Sequence, residues 1–396
     1  MKRSASLPAL LLILCSVLIT FPESVPVGAS STMWSQTYGG VDDDSAEAVI
    51  QTSDGGYALA GSTKSFGEGS YESWLIKTDS LGNAEWNRTY GVGSAVSVVQ
   101  TSDGGYIIAG SMLVKTDSEG NMQWNRSYGD TITSMIQTSD GGYALAGYTN
   151  FISVFSADFL LIKTDELGYM QWNKSYARGA YDQAQSVIQT SDGGYAITGW
   201  TRPGLGEGDF LLIKTDPSGE LEWSKTYGSQ DKDEGHVVVQ TSDGGYMLAG
   251  LMWNRSGSGT AGIIKTDSSG NVEWTRNYQS GSAWDIALTN DGGYIIACDR
   301  LVKIDSEDNI QWTQPYGNAN SVIQTSDGGY ALTGTSTVII DDAPADSYAW
   351  LIKIDSEGIP EFPSWTPLLI ILAVVMAVAV VYRQKLHKQN HRREEQ

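Results

Sequence analysis

The chain is short of the residues on which stapled folds and most catalytic sites depend. It has two cysteines and three histidines in 396 residues. Cys15 lies in the apolar start of the chain, so an exported mature protein would keep Cys298 alone, and a lone thiol excludes an intrachain disulfide. His236 is the one histidine outside the C-terminal tail. Neither His236 nor Cys298 has a partner set for a Ser-His-Asp or Cys-His enzyme, so Cys298 reads as a small buried residue and His236 as a loop residue. Charge is scarce as well, at 18% of residues, and the 25 basic side chains are outnumbered by 46 acidic ones. Residues 1–30 carry +1 and residues 366–396 carry +3, which leaves −25 on the middle of the chain. Such acidity excludes nucleic acid as a partner and fits solubility, cation attraction or a salty medium.

Long apolar runs are confined to the two ends. Lys2 and Arg3, an apolar stretch from Leu7 to Phe21, and small residues at Val27 to Ser31 predict a signal peptide over 1–30. An uncleaved anchor is the alternative; Leu14 before Cys15 is too bulky for a lipoprotein site. At the other end, Pro367 to Tyr382 has no charge, about 24 Å of helix at 1.5 Å per residue, enough for a tilted or thinned bilayer. This predicts a transmembrane helix over 366–382. Arg383, Lys385, Lys388, Arg392 and Arg393 follow, so the positive-inside rule puts 383–396 in the cytoplasm and the middle outside the cell membrane, single-pass.

What the middle does have is turn and aromatic residues: 45 glycines, 20 tyrosines and 13 tryptophans, a composition for many short strands rather than a helical bundle. They repeat. The segment Ser/Asn-Asp-Gly-Gly-Tyr ends at Tyr57, Tyr106, Tyr143, Tyr195, Tyr246, Tyr294 and Tyr330, and Lys-Thr/Ile-Asp begins at Lys77, Lys115, Lys163, Lys214, Lys265, Lys303 and Lys353. Trp-x-x-x-Tyr starts at Trp86, Trp124, Trp172, Trp223, Trp274 and Trp312, while a seventh copy, Trp34 to Tyr38, stands at the front. Each repeat predicts four strands, in the first copy 48–52, 57–62, 74–78 and 84–90, with hairpin turns at Asp-Gly-Gly and Asp-x-x-Gly-Asn. The fold class is therefore all-β: a seven-bladed β-propeller of four-stranded antiparallel blades over 31–358, closed by the N-terminal strand and read as a monomer. An open solenoid would have no reason to split one repeat between the two ends.

Asp-x-x-Gly-Asn-x-x-Trp, as in Asp79 to Trp86, resembles the tryptophan-docking repeat of quinoprotein (PQQ-like) propellers, with one residue fewer between aspartate and glycine. The resemblance implies propeller architecture; it argues little for a PQQ cofactor, because the repeated tryptophan of that family holds blades together. Residues 33–358 are similar to the Ser-Asp-Gly-Gly-Tyr repeats of secreted surface proteins of bacteria and archaea. Ile359-Pro360-Glu361-Phe362-Pro363-Ser364-Trp365, followed by the apolar stretch and the basic tail, resembles the PEF-type sorting signals of archaeal surface proteins. That implies an archaeal source and processing by a sortase-like protease near Pro360 to Pro363; an ordinary tail anchor with a Pro-rich linker over 359–365 is the plain alternative.

Function is expected on one face. The turns between first and second strands and between third and fourth strands are nearly constant, whereas loops between second and third strands vary and almost vanish after Gly110 and Cys298. Loops held by a rigid scaffold carry binding residues. The candidates there are Tyr71, Phe155, Tyr181, Trp200, Trp253, Trp284 and Tyr348, with Phe66 and Phe151, as platforms for sugar rings or anchors for a protein partner; covering the loops' own small cores is the equal alternative. Asp42, Asp43, Asp44, Asp231, Asp233 and Glu234, with Asp341, Asp342 and Asp346, are hard oxygen ligands suited to calcium, or solvated acidic loops. The recurrent aspartates of the turns read as turn caps. Asn87, Asn125, Asn173 and Asn254 head glycosylation sequons. The expectation is a surface-anchored module that binds an extracellular glycan, envelope component or protein. The alternatives are a propeller enzyme, such as a quinone-dependent dehydrogenase or a glycan-cleaving one, and a purely structural envelope protein.

Overall fold

The two glycines of each repeat do different physical jobs. In the computed structural model, which describes residues 34–149, 157–179, 181–202, 208–228, 231–253, 258–316, 319–338 and 346–358, the first glycine of each Asp-Gly-Gly turn has φ between 80° and 87°. That is the left-handed region which a β-carbon disfavours. The second glycine is needed for space: a Cβ on Gly56 would collide with the Thr78 carbonyl and lie 2.8 Å from the Lys77 ammonium. Lys77 is buried, yet its Nζ pairs with Asp54 at 2.9 Å and donates to the Thr78 carbonyl at 2.8 Å. The same aspartate accepts from the Gly56 amide and the Thr52 hydroxyl. All seven repeats build this unit, with lysine–aspartate separations of 2.8–2.9 Å. A buried ammonium is tolerable only with such a partner set.

These turns join four strands into one antiparallel blade, Asp44–Gln51, Tyr57–Thr63, Glu72–Thr78 and Ala84–Val92 in the first copy. The described residues form seven such sheets. The second and third strands are buried along their whole length, because a neighbouring blade covers each face, while the fourth strands are half exposed. Accordingly the apolar core is seven clusters, each built from two adjacent blades. First strands touch first strands all the way round, so they line the central channel.

The fourth strand fastens each blade to the next. Trp86 stacks edge-on against Tyr106 with ring centres 5.7 Å apart and covers Gly120, where a Cβ would sit 2.7 Å from the indole. Tyr90 donates its hydroxyl to the Gly120 carbonyl at 2.7 Å. The seventh junction uses the front of the chain: Trp34–Tyr38 pairs antiparallel with Asp346–Ile354, from Trp34↔Lys353 to Tyr38↔Ala349. Trp34 then packs on Tyr57 and Gly82, and Tyr38 donates to the Gly82 carbonyl at 2.7 Å. The split repeat closes the ring as its sequence predicts. Two junctions depart from the pattern: the Tyr316 hydroxyl has no hydrogen-bond partner among the described residues, and the junction at Trp274 lacks the turn glycine. Asp308 replaces the turn glycine with φ 64°, the one positive-φ non-glycine among the described residues. Its carboxylate accepts from Trp274 Nε1 at 2.8 Å, and its carbonyl accepts from Arg276 where a tyrosine hydroxyl is the donor at five other junctions.

First strands start earlier than the alternation of residues predicts, at Asp44 rather than residue 48 in blade 1. The reason is a β-bulge at Glu47, between the pairs Ala46↔Gly61 and Ala48↔Ala60, which breaks the period of two on which the sequence pattern rests. The predicted segments 1–30, 359–365, 366–382 and 383–396 lie outside the described residues. Among the described residues no helix is long and apolar enough to cross a membrane.

Replacing Trp34 by Ala removes the closing indole and should cost about 3 kcal/mol, read as a thermal midpoint several degrees lower; an unchanged midpoint would mean that the front strand does not hold the ring. The turn aspartates set the acid limit. Burial pushes Asp54 up, but the Thr52 hydroxyl, the Lys77 ammonium and the Gly56 amide together hold it down at about 2 from an ordinary 3.8. Five more copies are likewise held at about 2. A carboxyl depressed in the folded state leaves the unfolded chain to take up protons first, so stability is lost as pH falls from 3.8 towards 2. Asp54→Asn with Asp103→Asn should flatten that loss in melts at pH 2–5.

Candidate functional site

Because the constant face spends its side chains on turns and blade junctions, the opposite face, where loops and channel mouth meet, is the one left to carry a site. Six of the seven first strands carry the same bulge, and the seventh has Trp284 at the equivalent place just before Asp285–Leu288. The residues at that position are Glu47, Val96, Thr133, Gln185, His236, Trp284 and Asn320, each six residues before the Ser or Asn of the turn. No two are alike. A bulge pushes its side chain out of the ladder, and here the side chains lean along the channel wall to the next blade. Thr133 donates to the Ala184 carbonyl at 2.8 Å, and Asn320 Nδ2 donates to the Ala46 carbonyl and to Glu47 Oε2, both at 3.0 Å. His236 Nδ1 lies 3.0 Å from the Ala283 carbonyl; a carbonyl only accepts, so Nδ1 carries the proton.

Just beneath, the residue after the bulge ties the blades together. Ser97, Ser134 and Ser186 accept from the amides of Met135, Val187 and Val238 at 3.2–3.4 Å, and Asp285 accepts from Val322 at 2.9 Å. Burial pushes the Asp285 carboxyl up. Above it, Glu234 is 2.5 Å from Lys232 and 3.8 Å from His236 Nε2, and the His236 ring and the Lys232 ammonium hold its carboxyl down at about 2. Burial pushes Glu47 up. His236 stacks on Trp284, ring centres 4.4 Å apart and planes within 7°, while Trp284 is 48% exposed.

Among the described residues the acidic candidates are spread over separate partners. Asp44 is buried, and its oxygens take the hydroxyls of Thr63 and Ser65 and the Gly40 amide. Asp43 turns away to Lys64 at 2.8 Å, whose hydrogen bond lowers it, and Asp42 is exposed. Asp233 is buried and accepts from the Trp253 amide, whereas Glu234, next along the strand, faces Lys232; Asp231 precedes that strand. Asp346 begins the third strand of blade 7; Asp341 and Asp342 lie outside the described residues. Among the described residues no three His, Cys, Asp or Glu side chains converge to hold a metal. Asp44 and Asp182 instead strap the loop before each blade to the end of the second strand, Asp182 through the Arg178 and Gly179 amides and the Thr201 hydroxyl. Blades 2 and 6 have Gly93 and Gly281 there, since their short turns bring Ser111 and Asp299 into the space a side chain would need. The short turn of blade 2 also leaves a 420 Å³ depression between blades 2 and 3, lined by Val96, Ser111 and Ile132.

The aromatic candidates are scattered around this rim. Tyr181 and Trp200 pack on each other at 5.2 Å, with Arg202 over Trp200. Trp253 borders a 460 Å³ groove with Met252 and Asp233, and Phe66 packs on Trp74. Tyr71, 45% exposed, lies under Lys64 and donates to Asp43. Tyr348 faces Ser336 across the strand; Phe151 and Phe155 lie outside the described residues. Asn87, Asn125 and Asn173 sit on the outer strands of blades 1–3, where Asn87 accepts from Trp74 Nε1; Asn254 is outside the described residues. Cys298 is buried, its thiol against the Arg300 carbonyl and pushed up by burial. Sequence reasoning passed over the bulge ring, although the constant spacing of six residues marks it.

Ring, blades and closure define the class: a seven-bladed β-propeller. No family model matches the sequence, and no curated protein matches it. Among solved structures the chain is similar to the WD40 domain of Neurospora crassa Pan2 (12% identity, 77% of this chain and 88% of that one, TM-score 0.52). It is also similar to the Dos1 propeller (10%, 81% and 95%, 0.51) and to Sqt1 from Chaetomium thermophilum (10%, 75% and 81%, 0.50). At such identities the likeness shows the fold alone.

Asp285 offers a test of the channel wall. A carboxyl raised in the folded state binds protons that the unfolded chain releases, so it costs stability as pH rises from the ordinary carboxyl range through its raised value. Asp285→Ser keeps an acceptor for Val322, and its melting point relative to the parent should rise between pH 4 and pH 7; a constant difference would show that the carboxyl is not destabilised in place.

Proposed function

We propose that the chain is a cell-surface binding propeller, held by its C-terminal apolar segment with the ring outside, and that it recognises a glycan, envelope component or protein through its loop face. One observation carries the reading. Seven similar repeats place seven different side chains at one position of the channel wall, while the turns repeat. A structural demand common to seven blades would be met by one residue type, as it is at the turn lysines and glycines; a ligand with no sevenfold symmetry demands different groups around the ring. Two further features support it. The apolar start and the end, with its PEF-like segment and basic tail, suit export and anchoring on an archaeal surface, and the −25 charge on residues 31–365 suits a salty exterior.

The test uses whole cells that make the full chain. Protease added outside should remove the propeller while an antibody to residues 383–396 stains only permeabilised cells. Such cells should adhere to beads coated with envelope polysaccharide or envelope protein, and Gln185→Ala with Asn320→Ala should reduce adhesion at equal surface amounts. A protected propeller rejects the topology, and adhesion indifferent to the loop face rejects the binding role.

A further inference from the structure

Within the ring, one aromatic surface is built to stay open. Trp284, immediately before the inner strand of its blade, is 48% exposed, and among the described residues its ring partner is His236, stacked flat at 4.4 Å. That imidazole is itself fixed by Nδ1–H on the Ala283 carbonyl at 3.0 Å. One indole face is therefore covered, while the side chain as a whole stays half exposed. A platform immobilised before binding loses little rotamer freedom when a ligand arrives.

The next blade supplies polar groups. Blades 6 and 7 are joined here by the Asp285 bond to the Val322 amide, 2.9 Å, which sets Asn320 beside Trp284 in the ring. Asn320 commits its amide nitrogen to the Ala46 carbonyl and to Glu47, so its Oδ1 remains an acceptor with a fixed direction. Gln185 lies on the far side of His236.

Which ligand chemistry fits follows from what the arc has. A quaternary or methylated ammonium is held by several aromatic faces around one centre, but the remaining ring positions are Val96, Thr133, Gln185, Glu47 and Asn320. The nearby carboxylates are also engaged, Glu234 by Lys232 and Glu47 by Asn320. A single flat apolar face flanked by carboxamides suits a ring with one C–H face and a rim of hydroxyls. We propose that Trp284, clamped by His236, is the stacking platform for one pyranose residue of a glycan, with Asn320 Oδ1 accepting from one of its hydroxyls. This rests on the loop face being the binding face.

The experiment is saturation-transfer NMR on the full chain in detergent micelles, with the methyl glycosides of glucose, galactose and mannose and with N-acetylglucosamine. At least one should bind with a Kd of about 1 mM. Trp284→Ala should weaken it by about tenfold or more, Asn320→Ala by a few-fold, and Trp284→Phe less than Trp284→Ala. Trp200→Ala, on the second strand of blade 4, should leave it unchanged. Half-exposed Trp284 is replaceable without unfolding, and Asn320→Ala reads the same site should Trp284→Ala melt early. Binding by none of the sugars overturns the glycan assignment while leaving the loop-face reading to the adhesion test. Sugar binding that survives Trp284→Ala and falls with Trp200→Ala keeps the loop face and overturns this site.

Discussion

The rest of the structure hangs on the docking of one blade's tryptophan over the next blade's turn glycine. A four-stranded sheet has two faces to bury and no core of its own, so each blade is stable only between neighbours, and the contact must repeat until the ring shuts. The indole supplies area, the glycine supplies room, and the tyrosine four residues on supplies a directional bond to the glycine carbonyl. That combination fixes the spacing of blades more tightly than apolar contact alone, which is non-directional. The last link uses Trp34, so closure depends on residues more than 300 positions apart finding each other, a slow kind of contact to form and one that locks what has already been made.

The buried lysines play the complementary part inside each blade. An ammonium taken out of water is costly without partners. Each lysine obtains a carboxylate from the turn between the first and second strands and a backbone carbonyl from the end of its own strand, which favours one hairpin register. Its cost also explains why the second glycine has no substitute: a methyl group there would take the space the ammonium needs. The constant face is thus a set of interlocked turns with little freedom to vary.

Freedom is left on the other face. Asp44 and Asp182 strap long loops down, and Gly93 and Gly281 accept short ones, so loop length can differ between blades without disturbing the first strand. In six blades the bulge then turns one side chain out of the ladder, and Thr133, His236 and Asn320 lie against the neighbouring blade's carbonyl. A scaffold this regular carries an irregular ring because the bulged residue is outside the ladder, free of the pairing constraint that the rest of the strand obeys.

Much of this was legible in the chain itself. Turn chemistry, copy number and the displaced Trp34 to Tyr38 segment determined the blades, their count and the manner of closure, because glycine conformation and strand alternation are local properties that survive without tertiary context. Only the tertiary structure decided what the polar residues do. Asp44 looked like an open ligand and is a buried strap, Asp54 looked like a simple cap and is the partner of a buried lysine, and His236 looked like a stray loop residue and is the backing of Trp284. Each of these roles is set by residues about 20 to 50 positions away, on another strand or another blade. A carboxylate or an imidazole takes its function from the groups that close around it, and linear spacing does not say which those are.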